Sequence, residues 1–327
     1  MPLKYICVSG YGWSGSGAVV DLLQEFEGYV SLDIEFRLIK DAYGISDLEN
    51  FLVYNWDVLR SDKAVKDFLW FTRVLNMKGS KFTRVGENLG ERLYVDFLLE
   101  SKKYVNSITK LSYFGGSLTF NYSLSNLRLF FRKLLIKFKI IANERKMYLA
   151  KLSKEDFLHY TQLYLDSIFK NFIAQRNADT LILDQPISAT NIVNQLQYFN
   201  NAKLIVVDRD PRDIYVDLVN RKVLIGMDAD VSARHKRFVV WFKALRENIT
   251  VNSDLLQLKF EDLIYSYDSE INKIYDFLEA AEYMHKNKKN KFMPKISQNN
   301  IGIWKNFKNQ SEIDYIYKEL KPYCFNL

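Results

Sequence analysis

Four glycines fall within eight residues in Gly10-Tyr11-Gly12-Trp13-Ser14-Gly15-Ser16-Gly17. A glycine-rich turn between a strand and a helix aims free backbone N–H groups at one point, where the positive end of the helix dipole also lies. That is the chemistry of an anion site, usually one for phosphate. Gly10 and Gly15 have the spacing that opens a nucleoside-triphosphate P-loop. Ser16 and Gly17 stand where that loop carries Lys and then Ser or Thr. The cation that would reach the β- and γ-phosphates is absent, as is the usual magnesium-binding hydroxyl. The expected ligand is one phosphate group rather than Mg-ATP. A tight turn without a ligand is the competing structural reading.

Two further groups could do chemistry. Arg209, in Asp208-Arg209-Asp210-Pro211-Arg212-Asp213, follows a very apolar segment and precedes a helix that Pro211 can start. An arginine at the lip of a central strand is a natural fork for phosphate. The alternative pairs Arg209 and Arg212 with Asp210 and Asp213 as ion pairs at the helix start. Glu35, Arg37 and Asp41 follow a short strand, where a parallel sheet presents its ligand crevice. A solvated charged turn is the plainer account of them. The histidines, His159, His235 and His285, are scattered and suggest no triad.

The elements that must position these groups are legible as a pattern. Residues 4–9, 29–32, 180–184, 203–208 and 255–260 read as five strands. Helices are expected over 18–26, 59–74, 88–105, 153–175, 211–220, 231–248 and 268–278. The fold class is α/β, a P-loop-like three-layer sandwich with a central parallel sheet of about five strands. A mostly helical insertion at about 46–176 reads as a wall beside the substrate. Within it, residues 124–146 carry Arg128, Arg132, Lys133, Lys137 and Lys139 among Leu, Phe and Ile. Such a helix can lie on an anionic membrane. A core-facing helix with a lysine-rich outer face is the expected reading.

The 327 residues suit one large domain, and 48% apolar content supplies its core. A net charge of +7 favours an anionic partner: a nucleotide, an acidic glycan, a membrane or a nucleic acid. No nucleic-acid motif or stacking array is present, so nucleic acid is not expected. Cys7 and Cys324 form neither a disulfide framework nor a metal-spacing cluster, and Cys7 should be buried in the first strand. No leader and no run long enough to span a membrane are seen. The expected location is cytoplasmic, with peripheral contact at the inner membrane surface as the membrane alternative.

Three stretches together resemble the sulfotransferases that use PAPS (3′-phosphoadenosine 5′-phosphosulfate). Gly12-Trp13-Ser14-Gly15-Ser16-Gly17 resembles the family's 5′-phosphosulfate loop. The stretch from Val207 to Asp213 resembles its 3′-phosphate motif, and Gly302-Ile303-Trp304-Lys305-Asn306-Phe307 its C-terminal Gly-x-Trp-Lys-Asn-x-Phe segment. Order and separation agree over nearly the whole chain. The chain is most similar to bacterial sulfotransferases found with surface-polysaccharide genes, which also carry a Glu-Phe-Arg stretch after the second strand. The resemblance implies that residues 12–17, Arg209, Trp304 and Lys305 hold PAPS, with no metal. It implies Glu35 as the base and Lys305 as a catalytic cation, Arg37 and Asp41 on the acceptor, and a glycan or glycolipid hydroxyl as that acceptor. 3′,5′-ADP would be released.

The departures are specific. Trp13 stands where the family has Lys or Arg, leaving Lys305, Arg37 and Lys40 as candidate replacements. Asp217 occupies the position of the 3′-phosphate serine and so falls in the implied cofactor-binding set; a carboxylate is a poor phosphate partner, and it is expected to turn outward. Ser297-Gln298-Asn299 replaces Arg-Lys-Gly, with Lys291 and Lys295 as compensating cations. A P-loop kinase is disfavoured by Ser16. A non-catalytic basic membrane-associated module is the remaining alternative.

Overall fold

The first strand is buried on both faces: Tyr5, Ile6, Cys7 and Val8 are all in the core. A central parallel strand must be apolar in this way. The computed structural model describes residues 3–79, 86–116, 118–122, 124–223, 231–247 and 253–326. Its strands are β1 (Lys4–Gly10), β2 (Tyr29–Glu35), β3 (Leu111–Gly115), β4 (Arg145–Leu149), β5 (Thr180–Asp184), β6 (Ala202–Asp208) and β7 (Leu255–Lys259). The longer helices are α1 (Ser16–Leu23), α2 (Val58–Asn76), α3 (Phe97–Ser107), α4 (Asn126–Lys137), α5 (Lys154–Gln175), α6 (Pro211–Arg221), α7 (Arg234–Ala244), α8 (Tyr267–Leu278) and α9 (Gln310–Leu320). Asn248, expected to end a helix, lies outside the described residues.

The chain divides into two compact units, Met1–Arg37 with Ile173–Leu327, and Leu38–Phe172. The first holds a five-stranded sheet in the order β2-β5-β1-β6-β7. Every pairing in it is parallel. Val8 pairs with both Asp184 and Ile205, and Asp208 with Lys259. Gly10, Glu35, Asp184 and Asp208 therefore end their strands along one edge, where α/β sheets place their ligands. On one face Ile6, Val8, Ile182, Ile205 and Val207 pack with Val19, Val20, Leu22 and Leu23 of α1 and Ile271 and Ile274 of α8. Each such fully buried aliphatic side chain contributes about 1.5–3 kcal/mol. Tyr5, Cys7, Leu181, Leu183, Leu204 and Val206 on the other face are buried as well. Burial pushes the Cys7 thiol far up from its ordinary value.

The second strand runs three residues further than the sequence pattern suggests. Asp33 adopts a left-handed conformation (φ 56°) and its N–H donates to Ser31 Oγ. The register shifts there, and Glu35 rejoins the ladder opposite Asp184. A bulge thus keeps Glu35 at the sheet edge.

The second unit contains α2, α3, α4 and the antiparallel hairpin β3–β4, besides most of α5. The hairpin is a difference from the mostly helical expectation. Tyr104 and Tyr164 stack at 4.6 Å in its core, and their hydroxyls bond Thr161 and Ser101. Each buried hydroxyl thus has a partner. Residues 88–105 form two helices rather than one, because Tyr94 is left-handed and Asp96 caps a new start at Leu99 N–H. The basic segment also differs. Its helix stops at Lys137, Arg145 and Lys146 belong to β4, and no residue of α4 is buried. The expectation of a core-facing helix is corrected: an amphipathic pattern specifies an apolar stripe but not what covers it.

Candidate functional site

The loop after β1 is shaped by its glycines. Gly15 is left-handed (φ 93°), and a Cβ there would run into the Phe260 ring. Only glycine meets both conditions without strain. At Gly17 an added Cβ would meet nothing within 4 Å. Gly15 precedes α1 without a side-chain cap, and no acidic residue lies in the first turn. Among the described residues, the backbone N–H groups of residues 12–17 donate to no protein acceptor. Free N–H donors ahead of a helix N-terminus are groups that can hold an anion. Ser16 Oγ accepts from Gln185 Nε2 at 2.9 Å. Ser14 Oγ is buried without a hydrogen bond.

Arg209 ties the second motif to the first loop and to Asn300, just ahead of the last motif. It leaves the end of β6, and only 5% of its side chain is exposed. Nη1 donates to the carbonyl of Trp13 at 3.2 Å and to Asp217 Oδ2 at 2.6 Å. Nη2 donates to the carbonyl of Asn300 at 2.5 Å. Nε is buried without a partner. Asp217, expected to turn outward, turns inward, because one helix face places it against the guanidinium. Arg209 pairs with neither Asp210 nor Asp213. Arg212 instead makes the bidentate pair with Asp210 (3.0 and 2.5 Å) and lies 4.0 Å over the Trp304 ring.

Asp213 fixes the last motif to the start of α6. Its oxygens accept the N–H groups of Gly302 at 2.9 Å and Trp304 at 3.2 Å. Burial pushes its carboxyl up to about 6, against the pull of the Gly302 N–H and the Arg209 charge. Glu261 accepts the Asp210 N–H at 2.8 Å, and burial pushes it up to about 7. Trp304 Nε1 is buried without a partner. Lys305 is exposed, with Nζ 5.7 Å from the Trp304 ring.

Glu35 Oε2 accepts from Arg37 Nη1 at 2.7 Å, and both side chains are about half exposed. Asp41 and Lys40 belong to the second unit, and Glu35 and Arg37 to the sheet-bearing one. Lys291 donates to Gln24 Oε1 at 2.5 Å. Gln24 ends α1, so this lysine sits about 12 Å from the loop at the other end of the eight-residue helix. It does not compensate for the Arg-Lys-Gly missing from the last motif.

Sequence reasoning missed Arg246 and Glu261. Arg246 bonds Asp208 at 2.5 Å and lies 4.0 Å over Tyr11. It comes from the turn after α7, where nothing in the local pattern marks it. Glu261 follows a strand directly, the same signal that drew attention to Glu35.

No protein-family model and no curated protein matches this sequence. Among solved structures, the chain is similar to the sulfotransferase domain of the Synechococcus PCC 7002 olefin synthase. Identity is 13% over 100% of this chain and 96% of that chain, with a TM-score of 0.44. It is similar to sulfotransferase STF9 from Mycobacterium avium at 12% identity, over 99% of this chain and 76% of that one, with a TM-score of 0.40. It is also similar to a retinol dehydratase in complex with androsterone and inactive cofactor PAP. There identity is 14% over 98% and 81% of the two chains, with a TM-score of 0.34.

Proposed function

We propose that this protein is a sulfotransferase that moves the sulfuryl group of PAPS to a hydroxyl of a glycan or glycolipid and releases 3′,5′-ADP. The observation that carries this reading is that Arg209 and Asp213 together tie the second motif to the first loop, to Asn300 and to the last motif, beside a loop whose N–H groups have no acceptor among the described residues. The residues fit the 5′ half of the cofactor. Ser14 Oγ, Arg209 Nε and Trp304 Nε1, one in each motif, are buried polar atoms still without partners. The 3′ half fits once Asp217 yields its place on Arg209.

Bound PAPS supplies the transferable sulfuryl group. The N–H groups of residues 12–17 hold the charge of a phosphate at the start of α1. Glu35, at the same sheet edge, takes the proton of the attacking hydroxyl. Arg37 holds one carboxylate oxygen and orients the other. The half-exposed pair is open to an acceptor with its own negative charge, and polysaccharide synthesis in a bacterial cytoplasm is the setting this reading implies. The helix-rich second unit reads as an insertion in a single sulfotransferase domain.

A second reading has one observation in its favour. Because Asp217 already engages Arg209, a 5′-nucleotide without a 3′-phosphate would meet no competing carboxylate. Calorimetric titration with 3′,5′-ADP, 5′-AMP and Mg-ATP separates the readings. 3′,5′-ADP should bind most tightly, and at 100 times its Kd it should stabilise the fold by about 2.7 kcal/mol. Preference for 5′-AMP would support the second reading, and hydrolysis of Mg-ATP would replace both with a kinase-like activity. With a glycan acceptor, Glu35→Gln should keep 3′,5′-ADP binding and lose about two to four powers of ten in turnover. Turnover near that of the unaltered chain would remove Glu35 from the mechanism.

A further inference from the structure

Between Leu111 and Asn143 the sequence has five cations and no Asp or Glu. α4 lies inside this stretch and has no buried residue. Leu127, Phe130, Phe131, Leu134 and Phe138 recur at helical spacing and form one stripe about 100° wide. Phe130 and Phe138 are 57% and 67% exposed. Leu134 within the stripe, and Leu129 and Ile136 on the opposite side, are half-buried, and none of them is fully buried. The outward stripe is therefore not a core face. Arg128 flanks it on one side, Lys133 and Lys137 on the other. Arg128 donates its backbone N–H to Ser125 Oγ, but the three side chains make no hydrogen bond or ion pair among the described residues. Arg132, by contrast, is engaged by the carbonyl of Asn143 and the Phe120 ring.

We infer that α4 is a docking surface for an anionic phospholipid bilayer, on which the protein lies peripherally. The chemistry has two parts. Phenylalanine and leucine side chains enter the boundary between headgroups and acyl chains, and flanking cations meet lipid phosphates at the same depth. A second copy of the chain is a worse occupant. It would bring the same cations against each other, with no acidic residue in this stretch to pair them. No helix is long and apolar enough to cross a membrane among the described residues, so contact would be interfacial. This inference stands independently of the sulfotransferase reading.

The test is flotation of the full chain with vesicles of phosphatidylcholine alone or mixed with phosphatidylglycerol. The protein should float only with the mixed vesicles and be released as salt rises from about 0.05 to about 0.5 M. Lys133→Glu with Lys137→Glu should weaken binding by about tenfold or more, since each cation near the surface is worth roughly fivefold. Phe130→Ser with Phe131→Ser should weaken it by a similar factor. Thermal unfolding of both variants should match that of the unaltered chain, since the changed residues are exposed. Absence of binding at low salt, or equal binding to neutral vesicles, would overturn the inference. So would a dimer in sedimentation analysis that the Phe130→Ser, Phe131→Ser variant abolishes.

Discussion

The loop after β1 and the first turns of α6 both meet Arg209, yet they present an anion with opposite conditions. In the loop the backbone N–H groups of residues 12–17 have no partner among the described residues. At α6 the guanidinium is bonded to Asp217 and to the carbonyls of Trp13 and Asn300. A ligand at the loop would replace water only. A ligand at Arg209 would have to compete with a carboxylate already in place. A basic residue at a strand end is therefore not the same as an available positive charge, and the difference sets what each end of a nucleotide should feel.

Two glycine substitutions break the loop end in different ways. Gly15→Val adds a left-handed β-branched residue and drives it into buried Phe260. Backbone strain and overpacking together should cost about 2–5 kcal/mol in urea unfolding. Nucleotide binding should be lost with it. Gly17→Ala puts a methyl group into open space. Helix propensity should leave stability unchanged or raise it by up to about 1 kcal/mol. Binding of 3′,5′-ADP should still fall by about tenfold, or 1.4 kcal/mol. Undiminished binding by Gly17→Ala would mean that no nucleotide occupies the space in front of α1.

Titration sharpens the contrast, because two buried carboxyls close to Arg209 are raised. Burial raises Asp213 to about 6 and Glu261 to about 7 in the fold. The folded chain then keeps protons that the unfolded chain has released. Their contribution to stability is complete below about pH 4 and is lost as pH rises through 6 and 7. Between pH 5 and 8, Glu261 alone should reduce stability by roughly 2–3 kcal/mol. Glu261→Gln keeps an oxygen for the Asp210 N–H and should flatten the profile by that amount. Gly17→Ala should leave the slope unchanged. Equal slopes for Glu261→Gln and the unaltered chain would show that Glu261 is not buried as described.

What could be read in advance follows from the range of the forces involved. Five parallel strands were legible because burial on both faces demands runs such as Ile6-Cys7-Val8 and Leu204-Ile205-Val206-Val207. The glycine spacing was legible because a left-handed residue against a packed ring tolerates nothing else at Gly15. The inward turn of Asp217 was not, since its partner lies two helical turns earlier and the choice between solvent and Arg209 depends on how α6 meets the loop. The bulge at Asp33 and the hairpin β3–β4 were missed for a related reason: strands this short carry little periodicity. α4 shows the same limit from the other side. Its stripe was clear, but sequence spacing cannot say whether a core or a bilayer covers it.

Asp217→Ser is the smallest change and the most direct test of the two ends. The Asp217 carboxylate sits 2.6 Å from Nη1, with 23% of its side chain exposed. A 3′-phosphate approaching the same guanidinium would bring like charge close to it. Two unit charges about 4 Å apart near a protein surface interact by roughly 4 kcal/mol, before the ligand or the side chain moves to relieve it. Serine removes that repulsion and leaves a hydroxyl that can donate to a phosphate oxygen. The variant should bind 3′,5′-ADP about ten- to a hundredfold more tightly, which is about 1.4–2.7 kcal/mol. Its affinity for 5′-AMP, which has no 3′-phosphate, should stay within about twofold. Arg209→Ala should not mirror this result. It strips donors from Trp13 O and Asn300 O, so it should lower stability as well as affinity. If Asp217→Ser weakens 3′,5′-ADP binding instead, the carboxylate is part of the recognition surface. Arg209 is then a strut between the motifs, not a phosphate fork.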